Sequence, residues 1–410
     1  MDITTLQFDS GIKYAFKHIS SPVAYCALSV KVGTRDEDIP LNGIAHFTEH
    51  MIFKGTAKRS ANTINNFLEK LGGELNAYTT KEETVIQATV LKEDLSKAVE
   101  LLADLAFNST FPQKELVKER EIILEEISSY RDTPSELIFD DFDEYIFGRH
   151  PLSKPILGTP GSIKHIGVDE IKSFTSKYYK TNNMSFSIVA DILPEKGIKL
   201  VNRHFCSKGD KLMDGTKSTG VYDVKEFEPK LKILSKKTHQ SHCLIGAKAY
   251  TLYQDDRLPL SLLTNILGGP ALNSRLNQIL REKYGLAYTV DATYTPYHDT
   301  GLFTIYFGTD KNNVDRCLEL VDRELSVIMQ KEISPYQLKT AKKQLLGQLA
   351  ISMDNAESQC LSMGKSLLVY GKVESMDNIS EKIEQITSKQ LSDVAKKILS
   401  PDNLYFLIYK

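Results

Sequence analysis

The chain has 410 residues, of which 41% are hydrophobic and 25% are charged, values typical of a folded globular protein. This length exceeds what one hydrophobic core usually serves, so we expect two domains of roughly 200 residues each. The 51 basic and 53 acidic residues leave a net charge of -2, which argues against a nucleic acid or an anionic membrane as a partner.

The chain has five widely scattered cysteines: Cys26, Cys206, Cys243, Cys317 and Cys360. No two of them have C-x-x-C spacing, so they predict neither a disulfide framework nor a cysteine zinc site. We expect them to be the reduced thiols of a cytoplasmic protein. The first residues contain no basic stretch followed by an apolar one, and no run of about 18 apolar residues occurs. We therefore expect neither a targeting signal nor a membrane span.

Taken in chain order, the first apolar stretches lie at residues 11–16 and 23–32 and predict two strands that pair with each other. A polar loop over residues 33–42 follows them. Apolar spacing then predicts the remaining elements of the first half: helices over 44–53, 61–71, 95–108 and 113–131, and strands over 74–78, 84–91 and 185–191.

Between residues 206 and 229 the composition shifts towards Lys, Asp, Gly, Ser and Thr, and apolar periodicity is weak. Such a segment is typical of an interdomain linker. We therefore predict a first domain over residues 1–208, a linker over 209–228 and a second domain over 229–410.

The start of the second domain repeats the pattern of the first. Residues 241–250 predict a strand like the one over 23–32, and the segment DDRLPL that follows resembles the earlier DEDIPL. A helix over residues 261–267 is predicted next. We therefore expect two similar α+β halves, of which only the first has a closely spaced pair of histidines.

That histidine pair lies in the segment GIAHFTEHMIFKGT. His46 and His50 are one helical turn apart, so a helix presents both imidazoles on one face, as two zinc ligands require. Glu49 lies on the same side, where a carboxylate can take a proton from a zinc-bound water and pass it to a leaving amine. The order H-x-x-E-H is the reverse of H-E-x-x-H.

A catalytic zinc site also needs a third protein ligand. In the helix predicted over residues 113–131, Glu119 and Glu126 are seven residues apart and so lie on nearly the same face. Ile122 and Ile123 lie between them, which makes an unpaired charge costly there and a metal ion a good partner. Two other glutamates of this helix point elsewhere, and we expect them to be solvated: Glu121 and Glu125.

These motifs resemble the pitrilysin family of inverted-zincin metallopeptidases, in particular its short-chain bacterial-type members related to the mitochondrial processing peptidase. HFTEHMIFKGT matches the family's zinc helix, and EREIILEE matches its downstream element. The resemblance covers nearly the whole chain. It implies one zinc ion per chain, Glu126 as the third ligand and Glu119 as a carboxylate that supports the ligands from behind.

Two further segments imply contacts with substrate. GGELNAYT resembles the family's substrate-binding edge strand, which implies that Asn76 and the backbone of Ala77 contact the peptide. REKYGLAY, after the linker, resembles the family element R-E-x-x-G-L-A-Y. That likeness implies that Arg281 and Tyr288 hold the substrate backbone, so the second domain would bind substrate without binding zinc.

The fold implied by the resemblance is two similar α+β halves that enclose a chamber, each a mixed, mainly antiparallel sheet with helices on one side. A homodimer is implied, with unfolded peptides as substrates that add a strand to an exposed edge. The implied activity is that of a zinc-dependent endopeptidase or oligopeptidase with Glu49 as general base. Two alternatives are a catalytic subunit that needs a different partner chain and a noncatalytic scaffold related to respiratory-complex core subunits. The intact zinc motif favours the enzyme.

Overall fold

The computed structural model describes residues 3–206, 230–236 and 238–410. The linker predicted over residues 209–228 lies outside this described part. Among the described residues, no helix combines the length and the apolar character that crossing a membrane requires.

The chain forms two compact units, and neither is one continuous stretch of sequence. The described part of the first unit comprises residues 3–129, 154–206 and 351–375. The described part of the second unit comprises residues 130–153, 230–236, 238–350 and 376–410. Each unit therefore includes one short stretch from the half of the chain that otherwise builds the other unit.

The first unit contains a six-stranded sheet. Its strands are β1 (Thr4–Gln7), β2 (Lys13–His18), β3 (Val23–Val30), β4 (Glu74–Thr79), β5 (Thr84–Leu91) and β6 (Met184–Ala190). Their order across the sheet is β1-β2-β6-β3-β5-β4. All neighbours are antiparallel except β2 and β6, which are parallel. Strand β4 lies at one edge, so the side that faces away from β5 has no partner among the described strands.

The second unit contains a five-stranded sheet. Its strands are β7 (Leu231–Leu234), β8 (Ser241–Ala249), β9 (Ala287–Pro296), β10 (Gly301–Thr309) and β11 (Tyr405–Tyr409). Their order is β7-β11-β8-β10-β9, with β7 and β11 parallel and the other neighbours antiparallel. Strand β9 therefore lies at one edge of this sheet.

The α-helices of the described residues are α1 (Ile44–Ile52), α2 (Ala61–Glu69), α3 (Leu95–Asn108), α4 (Gln113–Arg131), α5 (Pro134–Phe147), α6 (Pro160–Ile163), α7 (Val168–Tyr178), α8 (Pro194–Phe205), α9 (Arg257–Gly268), α10 (Val314–Gln330), α11 (Pro335–Asp354), α12 (Ala356–Tyr370), α13 (Met376–Glu384) and α14 (Ser388–Ile398). A short π-helix covers Asn277–Lys283.

Helices cover both faces of the first sheet. Strand β6 is buried along its whole length, and because strand side chains alternate between faces, both faces must be covered. On one face the sheet shares a large apolar core with α3 and α8, in which Phe16 and Ile188 are fully enclosed. On the other face α12 packs against the sheet through Met363 and Leu367.

The second sheet is covered in the same way. Helices α9 and α14 share one apolar core with this sheet, which includes Ile245 and Phe303. Helix α5 covers the opposite face, where Phe142 packs among residues that include Leu244 and Leu407. Helix α5 comes from the N-terminal half of the chain, just as α12 of the first unit comes from the C-terminal half.

The predicted architecture of two similar, mainly antiparallel α+β halves is confirmed. To the helices predicted on one side of each sheet, the structure adds a helix on the opposite face. The predicted bounds of the helices over 95–108 and 113–131 match those of α3 and α4. The predicted pairing of the strands near 11–16 and 23–32 is wrong, because β6 lies between β2 and β3.

Glycine at position 246 lets α5 approach the second sheet. A Cβ added to Gly246 would lie 2.7 Å from Cε1 of Phe142 and 2.6 Å from the carbonyl oxygen of Phe303. We expect Gly246→Ala to lower the free energy of unfolding by about 1–3 kcal/mol, as overpacking does. Thermal and denaturant unfolding of the purified variant would measure this loss.

Gly347→Ala is the matched control in the same unit. Gly347 lies within α11, and an added Cβ there would meet nothing within 4 Å. Because alanine is the better helix former, this variant should gain about 0.5–1 kcal/mol. Equal effects of the two substitutions would mean that the close approach of α5 does not require a glycine.

Candidate metal centre

Helix α1 carries the histidine pair in a protected position. It buries Ile44, Phe47 and Met51 and packs against α7 and β4. The apolar spacing leaves the two histidines on a neighbouring face, where His46 is only 7% exposed. The predicted helix over residues 44–53 thus forms almost as expected, with His46 buried and the His50 side chain 22% exposed.

Helix α4 brings Glu126 to the two imidazoles. The Nε2 atom of His46 lies 3.8 Å from Oε2 of Glu126, and the Nε2 atom of His50 lies 3.7 Å from the same oxygen. One ligand atom from each of the three residues lies within 4.8 Å of the others. Tetrahedral zinc with bonds of about 2.0–2.1 Å would separate its ligand atoms by roughly 3.3 Å. The two nitrogen–oxygen distances exceed this spacing by about 0.5 Å, so side-chain movements would have to draw the three ligand atoms closer together to bind zinc.

The Nδ1 nitrogen of His50 is hydrogen-bonded to a buried carboxylate. It lies 3.1 Å from Oε2 of Glu119, which is 4% exposed. The other oxygen of Glu119 pairs with Nζ of Lys54 at 2.7 Å. A carboxylate that accepts from Nδ1 fixes the tautomer that leaves Nε2 free for a metal. Lys54 was not predicted from the sequence, although it lies within the quoted zinc-helix segment.

His46 is kept neutral by its surroundings. Burial lowers the pKa of its imidazole to about 3, and the neighbouring His50 adds to this shift. The neutral form is the one that binds a metal. The Nδ1 atom of His46 is buried and has no hydrogen-bond partner among the described residues.

Glu49 lies beside the two histidines and is held by the edge strand. The hydroxyl of Thr79, the last residue of β4, donates to Oε2 of Glu49 over 2.6 Å. Burial raises the pKa of Glu49, while the hydrogen bond from Thr79 opposes that rise. A carboxylate with a raised pKa is a better proton acceptor. Sequence reasoning missed Thr79, whose only signal was its place at the end of the predicted edge strand.

The other residues of α4 lie mainly as expected. Glu121 and Glu125 are exposed to solvent, as predicted. Ile123 is buried in the core of the first unit, but Ile122 is 47% exposed, so the predicted apolar stripe is narrower than expected. The buried face of the helix follows a spacing of three or four residues, which passes through Glu119 and Ile123.

The residues expected to contact substrate lie on two edge strands and a π-helix. In the first unit, Asn76 and Ala77 lie on β4, opposite Gln87 and Ile86 of β5. In the second unit, the side chain of Arg281 is 42% exposed. Tyr288, on edge strand β9, is 81% exposed. The structure thus gathers the zinc ligands, Glu49 and Glu119 within one unit and places Arg281 and Tyr288 in the other.

Two family models match successive parts of the chain. Residues 13–160 match the insulinase family of peptidases, M16, and residues 165–345 match the M16 inactive domain. Two solved structures share the fold at 21% sequence identity. A protease from Helicobacter pylori has a TM-score of 0.90 and covers 100% of this chain and 99% of its own. An M16 inactive-domain protein from Pseudomonas fluorescens has a TM-score of 0.89, with 100% and 98% covered.

Sequence relatives extend over almost the entire chain. An uncharacterized zinc protease of Bacillus subtilis, YmxG, is 34% identical over 97% of this chain and 96% of its own. An uncharacterized zinc protease of Rickettsia bellii is 34% identical over 91% of this chain and 89% of its own. From this identity over nearly the full length, together with the two matching models, the chain belongs to the insulinase family of peptidases, M16.

Proposed function

We propose that this protein is a zinc-dependent endopeptidase or oligopeptidase. The observation that carries the proposal is the convergence of His46, His50 and Glu126 on one point, with Glu49 beside them. The donor set of two imidazoles and one carboxylate is that of catalytic zinc sites, which keep a fourth position for water or substrate. The relatives named as zinc proteases support the same metal and reaction class.

The chemistry follows from the roles these side chains can take. Zinc bound there would polarise the scissile carbonyl and make water a nucleophile at neutral pH. Glu49 takes the proton of that water and passes it to the leaving amine, and Thr79 keeps its carboxylate in place. Glu119 orients His50, while Lys54 balances the charge of Glu119.

The substrate class follows from the edge strand. The free side of β4 can accept an extended peptide through backbone hydrogen bonds, with Asn76 and Ala77 as the contact residues. Recognition of this kind reads the backbone and requires an unfolded stretch of substrate. Arg281 and Tyr288 of the second unit, both exposed, would contact the backbone of a substrate peptide.

We further propose a homodimer in the cytoplasm as the active form. A catalytic subunit that depends on a different partner chain is the second candidate, and a noncatalytic scaffold is the third. The scaffold is the weakest of the three, because His46, His50, Glu126 and Glu49 are all present and brought together.

Glu49→Gln should separate metal binding from turnover. Glutamine cannot take a proton, but position 49 is not a ligand, so zinc content should stay near one per chain while kcat falls by about 10²–10⁴-fold. Metal analysis and cleavage of a mixed peptide library, followed by mass spectrometry, would measure both. Substantial residual cleavage would contradict the role of Glu49 as general base.

Glu126→Gln and Glu125→Gln form a matched pair of neighbouring substitutions. Both side chains are exposed to solvent, and the Oε2 atom of Glu126 lies 3.8 Å and 3.7 Å from the Nε2 atoms of His46 and His50. We expect Glu126→Gln to lose most of its zinc and Glu125→Gln to retain about one ion per chain. Metal analysis after dialysis would decide between them, and the reverse result would mean that Glu125 is the ligand.

Arg281→Ala and Tyr288→Phe test whether the second unit contributes to catalysis. Because these residues would orient the substrate and not the metal, zinc content should be normal and kcat/KM should fall by about tenfold or more. If both residues are only structural, the melting temperature should fall while cleavage per folded molecule stays unchanged. Zinc content, melting temperature and cleavage should be measured on the same preparations.

A further inference from the structure

Glu37 has a buried carboxylate that no step of the proposed reaction uses. The residue is 6% exposed and lies in the loop between β3 and α1. Its Oε2 atom accepts hydrogen bonds from the backbone N–H of Gly43 at 2.8 Å and from Nδ2 of Asn42 at 2.9 Å. Its Oε1 atom accepts from the backbone N–H of Ala45, also at 2.8 Å. Both oxygens are thus directed at the first turn of the helix that carries the histidines.

The start of α1 has no cap of its own. The capping position is occupied by Gly43, which has no side chain and adopts a φ of 94°, in the left-handed region that favours glycine. The first N–H groups of any helix lack partners within the helix, and a negative charge there also interacts favourably with the helix dipole. Glu37, six residues before the cap, supplies both the acceptors and the charge.

Glu37 is itself anchored to the rest of the first unit. Nζ of Lys154 donates to the backbone carbonyl of Glu37 at 3.0 Å, and Asn42 donates to the carbonyl of Pro155 at 3.1 Å. Nζ of Lys81, in the turn between β4 and β5, donates to the carbonyl of Lys154 at 2.5 Å. These contacts connect the first turn of α1 to the turn of the edge-strand hairpin through two residues: the carboxylate of Glu37 binds the helix, its backbone carbonyl binds Lys154, and the carbonyl of Lys154 binds Lys81.

We propose that Glu37 is a positioning residue for the metal centre, holding α1 at the point along its axis where His46 and His50 converge on Glu126. Ala45, whose N–H it binds, directly precedes His46, so a shift of the first turn moves the imidazoles relative to α4. This inference rests on the proposed zinc function and adds to it a residue that touches neither metal nor substrate.

The carboxylate titrates near neutral pH. Burial raises the pKa of Glu37 to about 7, against the opposing effect of its hydrogen bonds to Ala45, Gly43 and Asn42 and the charge of Lys154. The N–H donors bind the ionised carboxylate more strongly than the protonated one. The hydrogen bonds from the first turn of α1 to Glu37 are therefore strongest above pH 7 and weaken as the pH falls. The free energy of unfolding changes with pH in the opposite direction. Because the pKa of Glu37 is higher in the folded than in the unfolded chain, its contribution to stability is fully present below the ordinary pKa of glutamate and is lost as the pH rises through 7.

Glu37→Gln tests the proposal through zinc affinity and not through activity. The dissociation constant for zinc would be measured by competition with a chelating indicator from pH 6 to pH 8.5, beside the melting temperature of the zinc-free protein. At pH 8 the variant should bind zinc about tenfold more weakly, the size expected for loss of a supporting residue. The difference should shrink towards pH 6, where wild-type Glu37 is itself protonated.

Glu83→Gln is the matched control, and Glu37→Asp the second variant. Glu83 is also a buried carboxylate of the first unit, and it pairs with Lys365 at 3.0 Å. Its loss should leave zinc affinity unchanged whatever it does to the melting temperature. Glu37→Asp keeps the charge on a shorter side chain and should weaken zinc binding less than glutamine does.

The outcomes separate this inference from the proposed function. If the wild-type chain binds no zinc, the proposed function fails, and the inference fails with it. If wild type binds zinc and Glu37→Gln binds equally tightly at pH 8, or differs by the same factor at every pH, only the inference is overturned. If the glutamine variant does not fold, unchanged zinc affinity of Glu37→Asp at pH 8 overturns it instead.

Discussion

The metal centre consists of two imidazoles one helical turn apart that face a single carboxylate oxygen. The rest of the first unit must hold these three side chains in fixed positions. The three side chains come from α1 and α4, which are separated by two strands and two helices in sequence. Their ligand atoms converge only if both helices are held firmly, because a shift of 1 Å would exceed the tolerance of a zinc bond. The buried face of α4 and the capped first turn of α1 provide that rigidity.

The sheet of the first unit supports these helices, and it is itself packed on both faces. A central strand such as β6, buried on both faces, can exist only if helices cover both sides. The first unit takes α12 from the C-terminal half of the chain for this purpose, and the second takes α5 from the N-terminal half. The same solution in both units fits the duplicated pattern of the sequence. It also means that each unit depends on residues far away along the chain.

Local signals predicted the elements well, and long-range contacts escaped them. The bounds of helices α3 and α4 were predicted to the residue, because apolar periodicity and flanking turn residues are properties of the local sequence. The insertion of β6 between β2 and β3 was not, since periodicity says which face of a strand is buried but not which strand lies beside it. For the same reason the contacts of Thr79 with Glu49 and of Lys54 with Glu119 were missed: each joins elements that periodicity treats separately.

The charges of the centre give a final argument for the kind of ion that belongs there. Glu49, Glu119 and Glu126 contribute three carboxylates, and among the described residues Lys54 is the lysine or arginine paired with them. With His46 held neutral by burial, the cluster is left with an excess of negative charge. Burial raises the pKa of Glu49 most, the hydrogen bond from Thr79 and the charge of His50 oppose that rise, and repulsion by the charge of Glu126 adds a smaller increase. A divalent cation between the imidazoles and Glu126 would offset this repulsion, and two nitrogens with one oxygen suit zinc better than the oxygen-seeking Mg²⁺ or Ca²⁺. The electrostatics and the geometry of the first unit therefore favour the same ion.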